Sequence, residues 1–177
     1  MALAISKGLV ELLGGELYVE SELGKGTSFT FHIPATVSEE KEHAENEVIP
    51  SLPDGLRVLL AEDNDINAEI VMDMLKSSNI KCIRTKNGQD AVKAEKRHDF
   101  DVILMDCQMP IMDGHTASKL IRSEGRNKDT VRIIALTANA FIEDKNACLE
   151  AGMNAHLSKP IRKQVLFDCI ARELARV

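Results

Sequence analysis

Val102-Ile-Leu-Met105-Asp106-Cys107-Gln108-Met109-Pro110 runs four apolar residues straight into a carboxylate and then into a loop marked by proline. A short run that is apolar throughout, instead of alternating, reads as a strand covered on both faces, as in a parallel sheet. Working outward, the same grammar recurs at Arg57 to Ala61, Lys81 to Thr85, Arg132 to Leu136 and Ala155 to Leu157. Helical patterns lie between these runs. Apolar positions 66, 70, 71, 74 and 75 mark the first intervening helix, and Leu166, Ile170 and Leu174 mark the last. Strand and helix in alternation predict an α/β fold, a doubly wound five-stranded parallel sheet of flavodoxin-like order 2-1-3-4-5.

Such sheets bind ligands outside the carboxyl ends of their strands, where strand order reverses. The residues that close four of the five runs are Glu62-Asp63, Asp106, Thr137 and Lys159. Asp106 leaves a buried strand for a loop and suits a nucleophile toward phosphorus. Three carboxylates sharing one crevice repel one another unless a cation neutralises them, and Mg2+ prefers oxygen ligands while keeping several waters. The expected ligands are Asp63, Asp106 and the Gln108 backbone carbonyl, with Glu62 acting through water. Thr137 would supply a hydroxyl and Lys159 an ammonium to the oxygens of a phosphoryl group in flight. Pro160 would fix the geometry of the Lys159 loop, as a cis peptide can. Each residue alone has a plainer reading: a helix N-terminal acidic cluster, a turn aspartate, a capping threonine, a solvated lysine. Their coincidence at one sheet edge favours the joint one.

The rest of the chain narrows the class. Residues 1–34 read as a helix from Leu3 to Leu13, stopped by Gly14-Gly15, then strands Glu16 to Glu20 and Thr27 to Ile33 ended by Pro34. One helix and a hairpin bury too little surface to fold well alone, so this segment reads as a piece of something larger. Residues 35–54 lack apolar periodicity and hold Glu39, Glu40, Glu42, Glu45, Glu47 and Asp54 against Lys41, the composition of an acidic linker. Residues 55–177 carry 18 acids and 19 bases, with no basic stripe for nucleic acid. The four cysteines show no CxxC and no histidine at metal-ligand spacing, so neither a zinc site nor a disulfide framework is expected. A reducing cytosol suits them. No apolar run approaches a membrane span of roughly 18 residues.

On these residues the segment 55–177 closely resembles a response-regulator receiver domain. The matching stretches are Val58-Leu-Leu-Ala-Glu-Asp-Asn64, Val102 to Gly114, Ile133-Ile-Ala-Leu-Thr-Ala-Asn-Ala140 and Gly152 to Pro160. The resemblance implies Asp106 as phosphoacceptor, Glu62 and Asp63 as the acidic pair, and Thr137 and Lys159 as the residues that sense and bind the phosphoryl group. Ala135 to Ala140 is most similar to receivers fused to hybrid sensor histidine kinases. Residues 1–34 are similar to the end of a histidine kinase ATP-binding domain, through Met1-Ala-Leu-Ala-Ile5, Gly14-Gly-Glu-Leu17 and Gly24-Lys-Gly-Thr27. The phosphorylated His helix and the other ATP boxes of that family lie outside this sequence, so ATP-dependent kinase activity is not expected of the chain itself.

The family implies a phosphohistidine donor on a histidine kinase, transfer to Asp106, and onward passage to a histidine phosphotransfer protein. It implies a cytoplasmic location, with a parent kinase that is itself able to carry a membrane anchor. Since the sequence stops at Val177 without an output domain, the signal is expected to leave by a protein contact, with residues 142 to 171 as the readout face. Gln108 and Asn139 occupy the family positions that flank the path of attacking water, where neutral amides orient water without deprotonating it. In one place the chain departs from the family: His156 stands where the switch aromatic is usual, which predicts a weaker or differently propagated switch with Thr137. The rivals are a dehalogenase-type phosphatase, which needs an acid where Gln108 stands, a flavin module, whose phosphate Glu62-Asp63 would repel, a fragment of an ATP-dependent hybrid kinase, and a pseudo-receiver that binds partners without phosphorylation.

Overall fold

Strands rich in Val, Ile and Leu pair in parallel here because both of their faces are covered by helices. The computed structural model describes residues 2–35, 49–138 and 142–176, with side chains at 5–35, 49–138 and 145–176. These fall into two units, whose division lies within residues 36–48.

The first unit holds helix α1 (Ala2–Leu12) and an antiparallel hairpin, β1 (Glu16–Glu22) with β2 (Gly26–His32). Its strands are longer at the turn than the sequence pattern suggests, because the pairing continues to Glu22 opposite Gly26. Val10 is buried, yet Leu12, Tyr18, Phe29 and Phe31 stand more than half exposed.

The second unit runs β3 (Arg57–Ala61), α2 (Asp65–Lys76), β4 (Lys81–Thr85), α3 (Gly88–Arg97), β5 (Val102–Asp106), α4 (Gly114–Glu124), β6 (Arg132–Thr137), α5 (Ile142–Glu150), β7 (Ala155–Ser158) and α6 (Lys163–Leu174). The five strands form one sheet in the order β4-β3-β5-β6-β7, every pair parallel, which is the expected flavodoxin-like arrangement.

Side chains alternate across the sheet, and both faces are apolar. Val58, Leu60, Val102, Leu104, Ile134 and Leu136 pack on one side with Ala68, Val71 and Leu75 of α2 and Leu166 and Ile170 of α6. Leu59, Ala61, Ile103, Met105, Ile133 and Ala135 pack on the other with α3, α4 and Cys148 of α5.

Helix α2 forms where its apolar spacing placed it, and the structure shows which positions face the core. Asn64 caps it, its side chain accepting from the backbone N–H groups of Ile66 and Asn67. The core face is then Ala68, Val71 and Leu75, and Ile66 and Ile70 lie on an exposed flank, at 70% and 48% exposure. The small Ala68 marks the face nearest the sheet, a signal that a search for large apolar residues passes over.

Candidate functional site

The order of the sheet reverses between β3 and β5, and the carboxyl ends of those two strands open the crevice that such folds use for ligands. Glu62 and Asp63 follow β3 directly, and Asp106 is the last residue of β5. Carboxylate oxygens of Glu62, Asp63 and Asp106 all lie within 4.8 Å of one another. Glu62 and Asp106 are buried and Asp63 is exposed, so the trio opens to solvent on one side.

Lys159, which follows β7, reaches into this cluster. Its Nζ donates to Asp106 Oδ2 at 2.7 Å and to Glu62 Oε2 at 2.7 Å. Burial pushes the ammonium pKa down, but the hydrogen bonds and charges of Asp106 and Glu62 outweigh that and hold it above the ordinary lysine value. The Lys159–Pro160 bond is cis, and the Lys159 N–H donates to the Thr137 carbonyl at 2.8 Å. Thr137 itself is buried at the end of β6, one residue beyond Leu136, the register partner of Asp106.

The other contacts orient these groups. The Gln108 N–H donates to Asp106 Oδ1 at 3.1 Å, which fixes the second oxygen of that carboxylate. Glu62 Oε1 accepts from the Asn64 N–H and from Asn67 Nδ2, each at 3.3 Å, so both oxygens of Glu62 are engaged. Gly114 opens α4 hard against the strand end: a Cβ there would lie 2.1 Å from the Asp106 carbonyl oxygen. A glycine at that position lets the helix start under the phosphoacceptor candidate.

One residue of this arrangement escaped the sequence reading. Arg84 of β4 donates through Nε and Nη2 to the Glu62 carbonyl, through Nη2 to the Asp63 carbonyl, and pairs with Asp65 at 2.7 Å. It clamps the backbone that carries the acidic pair. The readable signal was an arginine in an otherwise unremarkable strand whose register partner, Leu60, lies two residues before Glu62.

Gln108 is exposed beside Asp106, and His156 is partly buried on β7 in a groove shared with Lys145, Leu149 and Val165. Asn139, and the stretch through residue 141 that follows the Thr137 strand, lie outside the described residues. Sequence spacing suggested no zinc site, yet Cys107, His115 and Cys148 come together although 41 positions separate the two cysteines. Three different elements deliver them, so no local spacing announces the group.

Three carboxylates and one ammonium leave a formal charge of −2 in the crevice. The donor set is all oxygen, which suits a hard divalent cation such as Mg2+ over zinc or copper.

A family model described as the response regulator receiver domain matches residues 58–171. Among curated proteins, the autoinducer 2 sensor kinase/phosphatase LuxQ of Vibrio vulnificus is 39% identical over 175 residues, covering 95% of this chain and 20% of that protein. The aerobic respiration control sensor protein ArcB of Escherichia coli is 36% identical over 173 residues, covering 97% of this chain and 22% of ArcB. The chain thus spans about a fifth of the length of these relatives. Among solved structures, the receiver domain of sensor histidine kinase PA1611 from Pseudomonas aeruginosa, with a magnesium ion coordinated in its active-site cleft, is 40% identical with a TM-score of 0.64, over 68% of this chain and 98% of that one. The receiver domain of the response regulator Ssk1, from its co-crystal with the histidine phosphotransfer protein Ypd1 of Saccharomyces cerevisiae, is 34% identical with a TM-score of 0.63, over 68% of this chain and 90% of that one.

Proposed function

The chain belongs to the response regulator receiver family, and from that premise we propose that it is the phosphoaccepting module of a phosphorelay, taking a phosphoryl group from a phosphohistidine onto Asp106. The observation that carries this reading is the Lys159 ammonium held between Asp106 and Glu62 at the rim of the sheet.

In the transfer, an oxygen of the Asp106 carboxylate attacks phosphorus, the phosphorus–nitrogen bond of the donor breaks, and its electron pair stays on the imidazole. The product is an acyl phosphate on Asp106. Lys159 carries the positive charge that meets an equatorial oxygen of the phosphoryl group, and the Thr137 hydroxyl stands to meet another. The Gln108 N–H, already on Asp106 Oδ1, keeps the carboxylate turned toward the incoming group. Asp63, Asp106 and the Gln108 carbonyl would hold Mg2+, with Glu62 acting through water because both its oxygens are engaged. When bound, the ion neutralises the remaining charge of the crevice and of the phosphoryl oxygens.

Movement of Thr137 toward the acyl phosphate then biases the segment from β6 to α5, with His156 beside it, as the switch. Gln108 and Asn139 tune hydrolysis by orienting water. Onward transfer to a histidine phosphotransfer protein reuses the same rim, and the co-crystal of Ssk1 with Ypd1 supports such a partner. The large exposed apolar side chains Ile66 and Ile70 on α2, and Ile111 in the loop after Asp106, suit a protein contact at that rim. The hybrid-kinase origin, the location in the cytoplasm, and the assignment of residues 1–34 to the end of a kinase ATP-binding domain belong to the same proposal, supported by the match to LuxQ and ArcB along nearly the whole chain.

The test is incubation with acetyl phosphate, with and without Mg2+, followed by intact mass. One phosphoryl adduct is expected, dependent on Mg2+ and absent from Asp106→Asn. An adduct that persists in Asp106→Asn overturns the assignment.

A further inference from the structure

Cys107, next to the phosphoacceptor, and Cys148 of α5 are both buried, and their sulfur atoms lie 3.8 Å apart. His115, partly exposed in the first turn of α4, places Nε2 3.7 Å from Cys148 Sγ. One donor atom from each of the three lies within 4.8 Å of the others. None of the three takes part in the phosphoryl chemistry. We propose that Cys107, His115 and Cys148 form a second metal site, selective for zinc, with one coordination position left open to a water or an outside ligand.

Two of the three spacings are those of a coordination shell. With zinc–thiolate bonds of about 2.3 Å and zinc–imidazole bonds of about 2.05 Å, tetrahedral angles separate two sulfurs by about 3.8 Å and a sulfur from a nitrogen by about 3.6 Å. The two edges that meet at Cys148 stand at 3.8 and 3.7 Å, and the Cys107–His115 edge lies within 4.8 Å, so an ion requires at most about an ångström of closure there. A disulfide would instead require the sulfurs to close to about 2.05 Å, a far larger movement in a packed core. Metal spacing is the nearer state.

Chemistry points the same way. Two thiolates and one imidazole form a soft donor set that prefers zinc over magnesium or calcium, while the neighbouring carboxylate trio is all oxygen. The two sites would therefore sort ions by hardness although they meet at the Asp106–Cys107 peptide. Zinc with two thiolates is neutral overall, which a buried position tolerates far better than a bare charge. Each thiol releases its proton to solvent on binding, and partly exposed His115 supplies the entry side. Bound zinc would tie the end of β5 and the first turn of α4 to α5, the helix that follows the Thr137 strand.

The experiment uses the full chain, kept reduced, in saturating Mg2+ so that the carboxylates are occupied, with Co2+ as the spectroscopic substitute for zinc. A thiolate-to-cobalt charge-transfer band is expected, complete at one equivalent and cleared by added zinc. Cys107→Ser and Cys148→Ser should each remove it, while the double variant Cys82→Ser/Cys169→Ser keeps it. His115→Ala, on the exposed side and harmless to the core, should weaken cobalt binding at least about tenfold and cancel the rise in melting temperature that zinc gives the parent chain. Absence of the band in the parent chain overturns the proposal, as does a band that survives Cys107→Ser or an unchanged affinity in His115→Ala.

Discussion

The Lys159 ammonium and the Asp106 carboxylate stand 2.7 Å apart across 53 positions of sequence, and the same nitrogen reaches Glu62 at 2.7 Å. On the proposed function, this one cation would compete with a metal for the carboxylates and also meet the incoming phosphoryl group. Removing it should separate the two roles. Lys159→Met is expected to bind Mg2+ more tightly, because the crevice loses a positive charge, and to accept phosphate at least about a hundredfold more slowly, because a transition-state donor is gone. Calorimetric Mg2+ titration and the rate of adduct formation measure the two effects; a fall in both affinity and rate would contradict this division.

Asp113 caps α4, its Oδ1 accepting from the Thr116 N–H at 2.8 Å and its Oδ2 from the Thr116 hydroxyl at 3.0 Å. The Thr116 backbone hydrogen bond, more than any other influence, holds the carboxyl below the usual aspartate range. A depressed folded-state pKa contributes stability that is fully present above the unfolded value, about 3.9, and is lost as pH falls through the lower folded one. Asp113→Ala should cost about 1 kcal/mol at neutral pH, and the gap between the parent chain and Asp113→Asn should close in acid. Urea midpoints measured from pH 7 down to pH 3 decide it.

How much of this was legible can be judged residue by residue. The runs Val58 to Ala61 and Val102 to Met105 announced themselves, since a strand buried on both faces must be apolar throughout, and the polar residues closing such runs fall at one sheet edge by topology alone. Arg84, Glu95 and the Cys107–His115–Cys148 group did not. A charged side chain within a strand or helix looks the same in sequence whether it faces water or reaches back to a backbone, and groups assembled from separate elements leave no local spacing. The apolar spacing of α2 located the helix and two of its core residues, Val71 and Leu75, but it did not separate them from exposed Ile66 and Ile70 or pick out small Ala68.

Glu95 illustrates the hidden class. It is fully buried on α3, and its two oxygens accept from the backbone N–H groups of Arg126 and Asn127 at 2.9 and 2.7 Å. Glu95→Ala should destabilise the receiver unit by about 3 kcal/mol, because two donors lose a charged acceptor. Glu95→Gln retains one carbonyl acceptor and should cost about half as much. Equal, small losses in chemical denaturation would show that the loop at Arg126 finds other partners.

Ile111 lies in the loop after Asp106 with φ +69° and a side chain 78% exposed. A β-branched residue in the left-handed region is strained by about 1–2 kcal/mol, and a side chain this exposed has little burial to offset it. Ile111→Gly should therefore raise the melting temperature by about 4 °C, despite the greater freedom of glycine in the unfolded chain. A lowered melting temperature would mean that the exposed side chain contributes more than its surroundings indicate. Such strain beside a candidate phosphoacceptor is common where a loop must hold one geometry.

Glu62 and Asp63 are neighbours in sequence with opposite structural circumstances, so their variants should diverge. Asp63 is exposed, and its carboxylate belongs to the metal-competent trio. Glu62 is 1% exposed and engaged through both oxygens, by Lys159, Asn67 and the Asn64 N–H. Asp63→Asn should weaken Mg2+ binding about tenfold or more while leaving the denaturation midpoint within about 0.5 kcal/mol of the parent, the usual range for an exposed substitution. Glu62→Gln should lower stability as well as Mg2+ affinity, because a neutral amide in a buried site cannot serve the Lys159 ammonium as a carboxylate does. Since Lys159 then keeps only Asp106 as a charged partner, adduct formation should slow further in Glu62→Gln than its loss of Mg2+ affinity accounts for. Saturating Mg2+ separates the two causes: it should restore the rate in Asp63→Asn and leave a residual defect in Glu62→Gln, and full recovery of both would reduce Glu62 to a second ligand with no hold on the lysine.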